Sequence, residues 1–254
     1  MEITSALESL FRWIHIVAGI TWIGLLYFFN FVNGPFAATM DGPTKQKVVP
    51  ELMPRALYWF RWGAAWTWVT GVLLLLLVFY HGGAALEAGA GWSLGVIVMI
   101  LVTFLAAALY DAIANSAPAK DLRVLAAIGF VLVVLIVFGY IGVGFSYRGY
   151  VIHTGALLGT TMAFNVWMRI WPSQRKIITA TKQGQPPDAA VVALAGTRSR
   201  HNTYMSVPLV WTMINSHTAA TFTSMGAVGL FVSILVGWAA VYWLYTKAGQ
   251  VKGF

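Results

Sequence analysis

The sequence predicts an all-α, polytopic membrane helix bundle with about seven transmembrane helices, and three observations carry that prediction. Of its 254 residues, 59% are hydrophobic and only 9% are charged, whereas soluble domains carry roughly 25% charged residues. Mean hydropathy is +0.75. Seven segments each supply the roughly 20 apolar residues needed to cross hydrocarbon with every backbone polar group satisfied within the helix. A single integral membrane domain over 1–254 is expected, and a water-soluble globular domain is excluded.

The first span, 9–32, lacks the basic start and small-residue cleavage site of a removable signal and is read as retained. The next stretch, PTKQKVVPELMPRAL, mixes charge, proline and apolar residues as an interfacial segment does. Spans follow at 57–80, 92–114, 122–145 and 150–171. The connection 172–202 is expected to be a cytoplasmic loop, with the turn QGQPPD placing Asp188 to cap a short surface helix. The sixth span, 203–221, carries Pro208, Asn215, Ser216 and His217, and the seventh covers 224–246. No charge interrupts the chain between Arg200 and Lys247, which leaves room for both.

Fourteen of the sixteen Lys and Arg residues fall on one side of this seven-span arrangement, and only Arg12 and Arg148 fall on the other. The positive-inside rule then places the N-terminus outside and the C-terminus in the cytoplasm of a multi-pass protein of the bacterial inner membrane. The net charge of +8 follows from that topology and from contact with anionic membrane lipid, so no nucleic acid partner is expected.

Zero cysteines exclude disulfides, thiolate metal sites and covalent c-type haem attachment. Any metal rests on histidine, methionine or carboxylate. In the seven-span topology His15, His153 and His217 lie within spans toward the outer face, and His201 lies on the cytoplasmic side. Ionisable groups inside a membrane are costly and mark function. Three imidazoles at one depth point to a b-type haem (haem b) with His15, His153 and His217 as candidate iron ligands and His201 as a weaker candidate. Ala18 and Gly19 beside His15, and Ala156 beside His153, leave space for a flat cofactor on the ligand's helical face. Arg12 and Arg148 are positioned to pair with haem propionates. His81, beside Gly82 and Gly83, reads as a solvated loop residue, and Asp111 reads as paired or solvated rather than catalytic.

Four blocks carry a family resemblance: RWIHIVAGITWIGLLYFFNFV at 12–32, WFRWGAAWTWVTGVLLLLLVFY at 59–80, HTGALLGTTMAFNVWMRIWPSQRK at 153–176 and RSRHNTYMSVPLVWTMINSH at 198–217. Together they resemble the membrane domain of the PuuD-type urate hydroxylases, the urate oxidase N-terminal family. The first span also resembles, more faintly, the HemJ-type protoporphyrinogen oxidases. The resemblance implies a helical membrane domain linked to electron transfer, with His15, His153, His201 and His217 inside the matching blocks. It also implies that Arg61, His201 and Asn202 are available to bind urate as an anion. The cytochrome c module that follows this domain in urate-oxidising members has no counterpart here, since the sequence reaches Phe254 without C-x-x-C-H.

The expected function is therefore a b-type haem-binding membrane redox protein, an oxidoreductase of urate hydroxylase type, passing electrons to an external cytochrome c or a respiratory-complex partner. The competing reading is a cofactor-free accessory or scaffold subunit of a larger membrane complex, its histidines serving as interhelical hydrogen bonders. Transport is disfavoured by the scarcity of charge within the spans and the lack of paired broken helices.

Overall fold

The computed structural model describes residues 2–117, 120–216 and 223–251, and among these every extended element is helical. In chain order they are α1 (Glu2–Tyr27), α2 (Gly34–Thr39), α3 (Gly42–Leu74), α4 (Leu94–Ala114), α5 (Leu122–Gly142), α6 (Tyr147–Asn165), α7 (Trp171–Lys182), α8 (Ala189–Asn215) and α9 (Gly226–Ala248). Three π-helical stretches interrupt or extend them: Phe28–Asn33 after α1, Leu75–His81 after α3 and Val166–Ile170 after α6. Side-chain caps start five helices, with Asp41, Ser93, Asp121, Ser146 and Asp188 each accepting from a backbone amide of the first turn. Such caps satisfy amides that have no intrahelical partner.

Five helical stretches are long and apolar enough to cross a membrane: Ile3–Thr39, Gly42–His81, Leu94–Ala114, Leu122–Gly142 and Gly226–Ala248. The protein is thus a helical membrane bundle. The expected spans at 150–171 and 203–221 correspond to α6 and to the second half of α8, which are less apolar for a physical reason. Most of α6 is buried against other helices, and α8 buries Arg198, His201, Asn202, Thr203 and Ser206. An interior helix meets protein on most sides, so hydrogen bonding between helices replaces contact with lipid.

One expectation about the connections needs correction. The segment 172–202 is no loop: it forms α7, a turn, and the first half of α8, which runs unbroken from Ala189 to Asn215. Hydropathy breaks at the charged RSRHN motif, but the Ala-rich AAVVALAG before it favours helix. Its Arg198 and His201 find partners inside the bundle. The stretch 43–57, expected at the interface, is the first part of α3, which continues into the span despite Pro50 and Pro54.

Without a hydrophobic drive between helices in lipid, close packing needs small residues at crossings. α1 and α3 meet this way around Gly63, where Trp22, Leu26, Phe60 and Ala64 are all buried. Gly149 and Gly155 do the same for α6. A Cβ on Gly149 would collide with the Ala85 carbonyl, and one on Gly155 with the Thr212 hydroxyl of α8.

Candidate functional site

Two ends of the bundle hold histidines, and they are built differently. At one end, which is joined by the 82–93 loop and the α5–α6 turn, His153 is fully buried. Its Nδ1 lies 2.7 Å from the Gly149 carbonyl and its Nε2 lies 2.9 Å from the Tyr80 hydroxyl. A carbonyl only accepts, so Nδ1 carries the proton and Nε2 accepts from Tyr80. The rings of Phe145, Tyr80 and Tyr140 enclose it at centroid distances of 4.7, 5.6 and 5.6 Å.

His15 meets a different part of α3. Its Nδ1 is 3.2 Å from Thr70 Oγ1, and the ring packs on Gly71. Thr70 donates its hydroxyl proton to the Trp66 carbonyl, so it accepts from His15 Nδ1–H. Both histidines therefore carry the proton on Nδ1, and in His153 the Nε2 lone pair is taken up by Tyr80. They are not brought together. Tyr80 lies ten residues beyond Thr70 on the same helical run, a rise of roughly 15 Å. The two imidazoles are thus held at different heights along α3 and its π extension. His217 lies outside the described residues.

The two arginines expected to meet propionates each have a protein partner. Arg12 pairs with Glu8 one turn away at 2.7 Å. Arg148 donates from Nε to the Ser216 carbonyl at 2.8 Å, and its guanidinium lies 5.7 Å from the Phe79 ring centre. His81 is exposed, as expected.

The opposite end carries Lys120, Arg169, Arg198 and Arg200, and here a connected polar network is buried. Asp111 of α4 takes Arg169 in a two-pronged ion pair and Arg198 of α8 at 2.9 Å. Arg198, 1% exposed, also donates to Asn115 at 2.7 Å and lies over the Tyr110 ring at 5.2 Å. The prediction that Asp111 is paired holds. One carboxylate faces two guanidiniums, so the cluster keeps a net positive charge. Buried charge of this kind is sustained only by such hydrogen-bonded pairing.

Tyr110 links this cluster to His201, whose tautomer follows from a chain of donors. The Met162 carbonyl must accept, so Asn202 presents its Nδ2 to it at 2.9 Å. Asn202 Oδ1 then accepts from Asn165 Nδ2 at 2.8 Å, and Asn165 gives its second proton to the Tyr110 oxygen at 3.0 Å. The Tyr110 proton is left for His201 Nδ1, 2.7 Å away. A neutral His201 therefore carries its own proton on Nε2, which has no hydrogen-bond partner among the described residues. This is the reverse of His153, and it makes His201 a donor rather than an iron ligand. Arg198 Nη1 and Asn165 Oδ1 are buried and also unpartnered among the described residues.

His201 stands in the wall between two cavities. One, of about 750 Å³, is bordered by Asn30, Asn33, Lys120, Gln174, Ser199 and Arg200 among others, and none of its lining residues is acidic. The other, of about 480 Å³, is almost wholly apolar and is bounded by α4, α5, α6, α8 and α9. Both lie in the range of roughly 300–1,000 Å³ usual for small-molecule sites. The π stretch after α1 sets Asn30 in place, where it donates to Ser199 at 2.8 Å and accepts from Tyr245 at 2.8 Å. The π stretch after α6 carries Arg169, and the one after α3 carries Tyr80. Such stretches often occur at functional sites.

Of the residues singled out in the sequence, His201 and Asn202 belong to this site. Arg61 lies apart, its guanidinium stacked 4.2 Å from the Trp171 ring centre. Asp111, Asn165, Tyr110 and Asn30 were not seen as site residues. Charged and amide residues spaced in the last turn of an apolar span were the available signal. No group of three or more His, Cys, Asp or Glu residues suited to a metal occurs among the described residues.

Residues 39–252 match the family described as urate oxidase N-terminal. Comparison with curated proteins and with solved structures gave no match.

Proposed function

The chain belongs to the urate oxidase N-terminal family, and we propose that it is a membrane redox domain that takes electrons from a planar purine anion of urate type. The observation that carries this reading is the position of His201, one buried imidazole bordering both a cationic cavity and an apolar one. The distribution of Lys and Arg supports seven spans with the N-terminus outside and the C-terminus in the cytoplasm of a bacterial inner membrane. In that orientation the cationic cavity opens to the cytoplasm.

Each residue has a stated part. Lys120 and Arg200 supply positive charge for the anion, and Gln174 and Asn33 supply amide groups that match the alternating donors and acceptors of a purine edge. The Asp111–Arg169–Arg198 cluster holds Tyr110 in place and adds a positive field behind it. His201 is the residue placed to move protons, with Nδ1 hydrogen-bonded to Tyr110 and Nε2 without a protein partner among the described residues. Electrons leave to a respiratory partner.

The test uses the full chain in detergent or nanodiscs, following loss of urate ultraviolet absorbance with an artificial electron acceptor. Acceptor-dependent urate consumption is expected, with Arg200→Gln raising KM and His201→Ala lowering kcat by roughly 100-fold or more, the usual scale for a lost proton-transfer group. A protein that neither binds nor oxidises urate or any related purine overturns the reading.

A further inference from the structure

We propose that the apolar cavity is a binding site for an isoprenoid quinone, with a head-group carbonyl accepting the His201 Nε2 proton and the tail leaving between α5 and α9 into lipid. The inference rests on the redox reading above and names the electron acceptor at the same histidine.

Three features select a quinone. First, of the buried polar side chains on the cavity, Thr161 already donates to the Leu157 carbonyl, which leaves the His201–Tyr110 pair to meet a ligand. The hydrogen-bond chain through Asn202 and Asn165 fixes Nε2 as a donor. A ligand there must present an acceptor inside an otherwise apolar envelope, and a ring carbonyl does so. An acyl chain would offer no acceptor to the N–H of His201, a residue only 5% exposed, an arrangement that buried donors avoid. Second, the rim is lateral: Leu109 of α4 and Tyr242 of α9 line the cavity yet are 50% and 69% exposed. In a membrane that opening meets lipid, where an isoprenoid ligand resides. Third, Trp238 and Tyr204 offer flat aromatic faces to a planar head group.

The chemistry balances. A purine ring position that gains a hydroxyl from water releases two electrons and two protons, and a quinone that takes two electrons and two protons becomes a quinol. The shared wall at His201 places donor and acceptor on either side of one proton-conducting group. Quinol then carries the electrons away within the bilayer.

Gly129 provides a clean probe, because it lines the cavity on α5 and a Cβ there meets nothing within 4 Å. The full chain is reconstituted in quinone-free phospholipid nanodiscs, and decyl-ubiquinone is titrated against tryptophan fluorescence without any purine. Saturable quenching above that of simple lipid partition is expected in the wild type and in Gly129→Ala. Gly129→Phe should abolish it, and His201→Ala should weaken affinity by at least tenfold, with thermal unfolding confirming that each variant is folded. Quenching that never saturates, or that Gly129→Phe and His201→Ala leave unchanged, overturns the proposal and assigns the cavity to acyl chains. Normal quinone binding without purine-dependent quinone reduction leaves the site standing and removes the urate reading. Urate oxidation with a soluble dye and no quinone binding does the opposite.

Discussion

The molecule contains two histidine–tyrosine hydrogen bonds of nearly equal length, Tyr80–His153 at 2.9 Å and Tyr110–His201 at 2.7 Å, and they do different work. His153 has both ring nitrogens occupied and three aromatic rings around it. His201 has one nitrogen occupied and borders two cavities. The first pair is sealed and ties α6 to the end of α3, the interhelical role expected of a scaffold. The second is held from behind by charge and left open in front. Residue type and burial alone do not separate a structural histidine from a working one; the direction of the proton and the space beyond it do.

The largest effect that would sharpen this contrast comes from the charge behind the open pair. Asp111→Ala leaves Arg198 buried at 1% exposure with its counter-charge gone, and removal of one partner from a buried pair costs about 3–5 kcal/mol. A marked fall in the midpoint of thermal unfolding is expected. Adding Arg198→Met should restore part of it, because the stranded charge leaves as well. A single Asp111→Ala variant as stable as the wild type would show that water, rather than Asp111, compensates these guanidiniums.

Next in size is the exchange of roles between the two histidines. His153→Ala opens a void inside a closed aromatic cage and strands the Tyr80 hydroxyl, a combined cost of about 2–4 kcal/mol. Its purine oxidation per folded molecule should stay near the wild-type level. His201→Ala should lose activity at a smaller stability cost, about 1 kcal/mol for the lost Tyr110 hydrogen bond, since two cavities already flank its ring. The opposite pattern, with His153→Ala inactive at full stability, would move the working site to the other end. The same series tests the haem expectation. His15 and His153 share no partner, so their variants should add in stability. If either replacement removed one common haem absorbance, the two imidazoles would have to approach in the working protein.

Much of the fold was legible in the sequence, and the site was legible only in part. Apolar runs reveal helices that face lipid, which is why α4, α5 and α9 fall close to their expected spans. The same signal weakens for α6 and α8, because their neighbours are protein, and it broke at RSRHN although the helix did not. Charge near the end of a span reads as a boundary, yet Asp111, Arg169 and Arg198 come from three helices to form one buried cluster. Depth assigned by counting from segment starts put His15 and His153 at one level. The crossing of α1 with α3 sets the actual height through Thr70 and Gly71. His201 was identified and ranked last. Its importance lies in a donor chain through Asn165 and Asn202 and in two cavities, none of which a single sequence displays.

The smallest predicted effect is the most diagnostic. Tyr80→Phe and Tyr110→Phe each delete one hydroxyl, and a single hydrogen bond is worth about 1 kcal/mol in either place. Stability will therefore not distinguish them, but nitrogen chemical shifts of ¹⁵N-labelled histidine will. In the wild type His153 should show a protonated Nδ1 and His201 a protonated Nε2, two signatures from one sample. Tyr80→Phe leaves the Gly149 carbonyl in place, so His153 should keep its tautomer. Tyr110→Phe removes the one donor that holds His201 Nδ1 as an acceptor, so the His201 proton should redistribute between its nitrogens and purine oxidation should fall with it. If His201 kept Nε2–H and full activity without that hydroxyl, the relay through Tyr110 would be unnecessary, and the two pairs would differ in surroundings alone.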